Sequence, residues 1–206
     1  MKKLFFTLPV YLLCIFNAQA QGNLKFPKHE IYASISPVPM QSVLPENTPQ
    51  FNRLNVSLNF ENEDYSEIFT VGYMISLSKN MSVGLSYSKC KMESDLWLNA
   101  AALRTATVSA KYNIWMLDAR YKWFNWRALS LYSHVGVGAV TMKVDEPEYD
   151  DVSSIGSITG WDDKTEIAWH VTPLGIQYTF FNHISLFVEG GIGLKSCFSG
   201  GMRVLF

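Results

Sequence analysis

Asp118, Arg120 and Lys122 are spaced two residues apart, so in an extended chain all three side chains leave the same face. His134, His170, Gln177, Glu189 and Arg203 fall on the corresponding face of their own segments. Such a set can do catalysis, hold a metal or pair its charges. For catalysis the candidates are His170, Asp162, Asp163 and the serines near them. No spacing joins a serine, a histidine and an acid into a triad, and geometry is the test of a triad, so no catalytic residue is assigned. Cys90 and Cys197 have neither a CxxC partner nor a histidine at zinc spacing. The acidic stretch 144–164 lacks the Asp-x-Asp-x-Asp-Gly order of a calcium loop. Neither a metal nor a cofactor is expected. Charge pairing remains, with Glu189 and Arg203 on neighbouring segments.

The segments that carry these residues alternate with period two, the mark of β-strands with two unlike faces. In 69–78, Phe69, Val71, Tyr73, Ile75 and Leu77 oppose Thr70, Gly72, Met74, Ser76 and Ser78. Lys79-Asn80 leads into 81–90, where Met81, Val83, Leu85 and Tyr87 alternate with Ser82, Gly84, Ser86 and Ser88. Two such runs across a two-residue link read as a hairpin. The unit recurs at 115–124 with 128–140, joined near Asn125, and at 173–181 with 184–195, joined at Asn182-His183. In the last run Ile184, Leu186, Val188, Ile192 and Leu194 share the apolar face. The stretch 166–178 changes parity at Thr172-Pro173, where a bulge is expected. With 29–36 at the start and 201–206 at the end, the count is eight.

The connections alternate in length. Those at 79–80, near 125 and at 182–183 are minimal; those at 37–65, 93–105 and 144–164 are long, and 196–199 is intermediate. This division is the pattern of a membrane barrel with short turns at one mouth and long loops at the other, and an even count puts both termini at the short-turn mouth. The segment 53–60, RLNVSLNF, either lengthens the second strand or forms a hairpin above the membrane. The opposite face of small and ionic residues suits the crowded interior of a narrow barrel. Asp118, Arg120, Lys122, His134, His170, Glu189 and Arg203 then line the lumen, either as a salt-bridged plug or as the wall of a narrow ion path. Aromatic rings prefer the headgroup level. Trp123, Trp126, Phe180 and Phe181, with Phe124, Tyr178 and Phe206, lie beside the short turns and form a girdle at that end.

The N-terminus reads as a secretory signal peptide over 1–20: Lys2 and Lys3, an apolar run from Leu4 to Phe16, then Ala18-Gln19-Ala20. Gln21 becomes the first mature residue, and 21–206 is one barrel domain. Leu13 stands before Cys14 where a lipoprotein needs a small residue, so lipidation is not expected. An exported chain can oxidise Cys90 and Cys197; two free thiols and a disulfide across the outer mouth are both open. The formal charge of −1 gives no nucleic-acid signal.

The chain ends in GGMRVLF, with Met202, Val204 and Phe206 on one side. This resembles the C-terminal assembly signal of outer-membrane proteins and implies recognition by the barrel-assembly machinery. With the signal peptide and eight alternating strands, the mature chain resembles the small eight-stranded outer-membrane β-barrel family, the OmpA transmembrane-domain and OmpX kind. The resemblance implies an all-β, eight-stranded antiparallel up-and-down transmembrane barrel in the cell outer membrane. It implies a monomer among membrane lipids and lipopolysaccharide, without enzymatic activity. Two roles stay open: a structural or surface-binding barrel acting through its loops, and a small pore.

Overall fold

Side chains alternate between two faces along eight antiparallel strands, and the strands close on themselves. They are β1 (His29–Ser36), β2 (Ile68–Ser76), β3 (Met81–Leu98), β4 (Leu103–Trp126), β5 (Leu129–Val144), β6 (Lys164–Phe180), β7 (Ile184–Gly193) and β8 (Phe198–Leu205). Each pairs with its neighbours in chain order, and β1 pairs with both β2 and β8. In this computed structural model the described residues are 29–37, 50–51, 56–57, 59–98, 103–149, 158–159, 162–180, 183–194 and 197–206. The candidate signal peptide and Phe181 lie outside them, as do Asp150 and Asp151 of the acidic stretch.

The seam is made by the last residue. His29 and Phe206 each donate a backbone N–H to the other's carbonyl, at 3.0 Å, and their rings stack 5.8 Å apart. The register then runs Glu30 opposite Leu205 through Ile35 opposite Gly200. The short turns lie at the same mouth. In the first, Ser78 Oγ accepts the backbone N–H groups of Asn80 and Met81 at 3.3 and 3.1 Å, the local bond that suits serine to turns. The second is Arg127-Ala128, two residues beyond the expected position at Asn125, with Arg127 at φ 53.

The bulge in β6 is where the parity change places it. Register shifts occur between Val171 and Leu174 against β7 and between Thr172 and Gly175 against β5. Proline has no N–H to give to the ladder. Its carbonyl is still satisfied: Ser133 Oγ donates to Pro173 O at 2.7 Å.

The outward face is apolar over a band. Leu117 is 63% exposed, Val137 55% and Leu186 51%. Water-facing surfaces do not present so large a continuous apolar area. Only a closed barrel or a helix satisfies all its backbone groups in lipid, and this barrel closes. The band ends upward at Phe69, Tyr87, Trp115, Ala139, Ile167, Ile192 and Phe198, which are either exposed or half-exposed. Aromatic rings therefore stand at both edges: beyond those expected at the short-turn end, Phe69, Tyr87, Trp115 and Trp169 mark the far edge.

Above that edge the polarity of the faces inverts. Lys89, Lys91 and Glu93 of β3 point outward, while Cys90, Met92 and Leu96 are buried inside. They pack in one apolar cluster with Val108, Tyr112 and Ile114 of β4, Val140 and Met142 of β5, Ile68, Ala168 and Leu194. The surroundings have changed from lipid to water, so the apolar face turns inward. This corrects the expected loop 93–105. Strand pairing there continues to Leu98 opposite Leu103, and Asn59–Tyr65 pairs with β3 as a further strand above the membrane. Leu194 is a second correction. It was expected on the lipid face and is fully buried. Gly193, at φ 120, turns the chain so that Leu194 N–H reaches Trp169 O at 3.1 Å and its side chain enters the cluster.

Val188→Arg, placed in the band, is expected to lower stability by roughly 2–4 kcal/mol, read by urea titration of the refolded barrel in lipid vesicles. Ser133→Ala, which strips Pro173 O of its donor in lipid, is expected to cost about 1–3 kcal/mol in the same titration, against almost nothing for a lipid-facing serine with no such bond.

Candidate functional site

The interior of the lower half is ionic and its charged side chains are buried. It begins on β1, where Ile31 and Ile35 face lipid and so turn Glu30, Tyr32 and Ser34 into the lumen. Arg120 of β4 donates through both terminal nitrogens to both oxygens of Glu30. These strands are three steps apart around the ring, so the pair crosses the lumen. Arg203 of β8 lies beside the same carboxylate, with Nε 3.3 Å from Glu30 Oε1. Its terminal nitrogens donate to Gln177 Oε1 at 2.8 Å, Tyr132 Oη at 2.8 Å and Glu189 Oε1 at 2.7 Å. Tyr132 Oη donates in turn to Glu189 at 2.7 Å. Beside this centre, His134 Nε2 is 2.9 Å from Asp118 Oδ1, and Tyr32 Oη donates to Asp118 Oδ2 at 3.1 Å. His134 Nδ1 stands 3.7 Å from Glu189.

Rings fill what the ions leave. The Arg203 guanidinium lies 3.7 Å from the centroid of Phe187 and 4.6 Å from that of Tyr132, cation–π geometry in a desolvated place. Two glycines make room for the phenols. A Cβ at Gly72 would stand 2.3 Å from the Tyr32 ring, and one at Gly175 2.3 Å from the Tyr132 ring. The glycines scattered through otherwise good strands thus have a packing reason.

Of the candidate lumen residues, Asp118, Arg120, His134, Glu189 and Arg203 meet in this network. His170 is buried beside it, its ring 6.2 Å from that of His134 and its Nε2 3.0 Å from Thr172 Oγ1. Lys122 is half-buried at the short-turn mouth, where its backbone N–H donates to Asn80 O. The catalytic candidates are not brought together: His170 is buried, while Asp162 and Asp163 are exposed, and Asp163 accepts the Val144 N–H at 2.9 Å. No group of three or more His, Cys, Asp or Glu able to hold a metal occurs among the described residues.

Cys90 is buried in the upper cluster, Cys197 is exposed at the β7–β8 connection, and the two are unbridged in this structure. Met202, Val204 and Phe206 face outward along β8. Trp123, Trp126 and Phe180 are exposed at the short-turn edge, with Arg127 over the Trp126 ring. Sequence reasoning missed Glu30, the acid that both arginines share, and the two tyrosines Tyr32 and Tyr132 as donors. Parity in 29–36 carries the signal, since Glu30 alternates with Ile31.

Together these features define a membrane-spanning β-barrel whose lumen is crossed by side chains. No family model matches the chain, and no curated protein does. Solved structures resemble it in overall form: the N-terminal β-barrel domain of Pseudomonas aeruginosa OprF (12% identical, TM-score 0.46, covering 88% of this chain and 100% of that one); outer membrane protein OprG of P. aeruginosa (10%, 0.43, 91% and 93%); and Ail, the attachment invasion locus protein of Yersinia pestis (12%, 0.41, 88% and 96%). The likeness is one of barrel architecture and is carried no further.

Glu30→Leu, which leaves Arg120 buried without its carboxylate, is expected to cost roughly 3–5 kcal/mol. The double change Glu30→Leu with Arg120→Met is expected to recover most of that loss, measured as a double-mutant cycle in lipid vesicles. Equal losses for the single and double changes would refute the cross-lumen pairing. On intact cells, a membrane-impermeant maleimide is expected to label Cys197, and Cys90 only after unfolding.

Proposed function

We propose that this chain is an outer-membrane protein whose barrel is a closed, rigid anchor, and whose function lies in the sheet and connections that it raises above the membrane. One observation carries the reading. Arg120–Glu30 and Arg203–Tyr132 each join strands three steps apart, so an ion pair and a charge-assisted hydrogen bond span the lumen in two directions. A permeant ion would have to part a buried guanidinium from its carboxylate, and breaking such a pair costs several kcal/mol. An apolar cluster then sits over the network. Water does not wet such a layer readily.

The outer-membrane address is supported by the signal-like N-terminus, the outward apolar band and the terminal Phe206. The surface role is supported by the wall's unequal height. β3 and β4 run 18 and 24 residues, while β7 and β8 run 10 and 8. About 10 residues are enough to cross a membrane as a tilted strand. The excess on β3 and β4 stands in water and is joined there by Asn59–Tyr65 and by Glu148–Tyr149. Loops and extensions on a rigid scaffold are where binding residues concentrate.

Planar-bilayer recording of the purified, refolded chain tests this. The expected result is no reproducible unit conductance, with the barrel shown to be folded by its resistance to unboiled gel electrophoresis. A uniform single-channel step from the unaltered chain would replace the anchor with a pore.

A further inference from the structure

The inverted face above the membrane carries a row that costs the fold something. Lys91 of β3 lies directly opposite Lys111 of β4, and Lys111 directly opposite Lys143 of β5. Like charges opposite one another across strands are destabilising. All three point outward, and Lys89 joins them two residues lower on β3. The row stands four residues above the rung Tyr87–Trp115–Ala139 that closes the apolar band. That is roughly 13 Å along the strands, or about 10 Å along the membrane normal at the usual tilt. This is headgroup height.

We propose that Lys89, Lys91, Lys111 and Lys143 form a docking strip for the phosphates of an outer-leaflet glycolipid, the phosphorylated lipid anchor of lipopolysaccharide. The proposal rests on the outer-membrane reading above and deepens it. Three observations support it. The acids that engage the row sit on its far side from the membrane. Lys91 pairs with Glu93, and Lys111 Nζ lies 3.0 and 2.9 Å from the two oxygens of Asp145. The Lys111 ammonium and then the Ser109 hydroxyl hold the Asp145 carboxyl below its usual range. Both pairs are about half exposed and so bind loosely. Lys89 and Lys143 make no ion pair among the described residues, and both are exposed. Glu67, next to Ser66 whose N–H donates to Lys91 O, and Asp163, which accepts the Val144 N–H, are exposed beside the strip at its two sides.

Below the lysines is a surface suited to an acyl-chain glycolipid. The Tyr87 and Trp115 rings meet at a tilt of 45° with centroids 4.7 Å apart, and Tyr87 Oη donates to Asn113 Oδ1 at 2.7 Å. A lipid lying along β3–β5 would place its chains on Leu85, Leu117 and Val137 and its sugar against this aromatic rung. Its phosphates would reach the lysines. A phosphate between two of them relieves the repulsion that the bare row carries, and each contact is charge-assisted.

The test uses the purified full mature chain in phosphatidylcholine bicelles. These are used alone, or doped with bisphosphorylated lipid A, with lipid A stripped of both phosphates, or with phosphatidylglycerol. Thermal unfolding is followed by loss of the heat-resistant gel band. Saturating lipid A is expected to raise the midpoint by roughly 5–10 °C, and the stripped lipid to leave it unchanged. The variant Lys91→Ser/Lys111→Ser/Lys143→Ser is expected to lose at least two-thirds of that rise. In phosphatidylcholine alone its midpoint equals or exceeds that of the unaltered chain, because the opposed charges are gone; a merely structural row gives the opposite sign. Lys143→Ser alone, at an exposed position with no ion pair, gives a partial loss and serves if the triple variant does not fold. The corresponding arginine variant keeps the rise. A full rise in the serine variants, or with stripped lipid A, overturns the proposal, and an equal rise with phosphatidylglycerol overturns its commitment to the glycolipid. Cell fractionation of the same variants reads the outer-membrane address separately, so a failure of that reading shows there and not in the bicelle series.

Discussion

The closing seam between β1 and β8 is the constraint on which the rest depends. A strand edge in hydrocarbon leaves a row of N–H and C=O groups with no water to bond, at several kcal/mol for each group. The backbone of Phe206, just past the end of β8, therefore needs a partner, and the reciprocal bonds with His29 supply one. Once the ring is closed with eight strands, its bore is only wide enough for side chains. The lumen has to be filled from its own wall, and every charge placed there needs a counter-charge within reach.

That narrowness accounts for the ionic centre. The shared Glu30 lets two arginines from nearly opposite walls use one carboxylate, while Arg203 takes its second acid from the adjacent β7. Tyr132 is bonded to both Arg203 and Glu189, so the phenol joins the pair rather than merely filling space. The glycines opposite Tyr32 and Tyr132 belong to the same device. In a wide barrel they would weaken strands for no return; here each is the gap into which a ring fits. Small residues and large polar ones are thus two halves of one packing pattern.

Much of this was legible in the chain before any coordinates. Period-two alternation located all eight strands, the parity change at Thr172-Pro173 located the bulge, and the alternation of short and long links gave the up-and-down order. The lumen-facing identities of Asp118, Arg120, His134, Glu189 and Arg203 follow from the same parity. What alternation cannot give is which inward residues meet across the bore. Neighbouring strands suggest Glu189 with Arg203, but Arg120 with Glu30 joins residues 90 apart in sequence on strands that do not touch. Leu194 was misread for a local reason, since one glycine at positive φ breaks the parity on which the assignment rested.

The stretch 93–105 was misread for a more general one. The rule used to find strands was apolar outward, polar inward, and it holds only where the outside is lipid. Past Tyr87 the same strand keeps its two-residue period, but Met92 and Leu96 face in while Lys91 and Glu93 face out. The period survives and its phase reverses. A reading tuned to one phase sees the pattern fail and writes a loop. The reversal itself marks the membrane surface on β3 to within a residue or two, at Lys89, and on β4 between Trp115 and Asn113. The two strands are paired there in register, so the marks agree in height. In a barrel of this kind the point where alternation changes phase is thus a more direct measure of where the bilayer ends than the point where a strand stops.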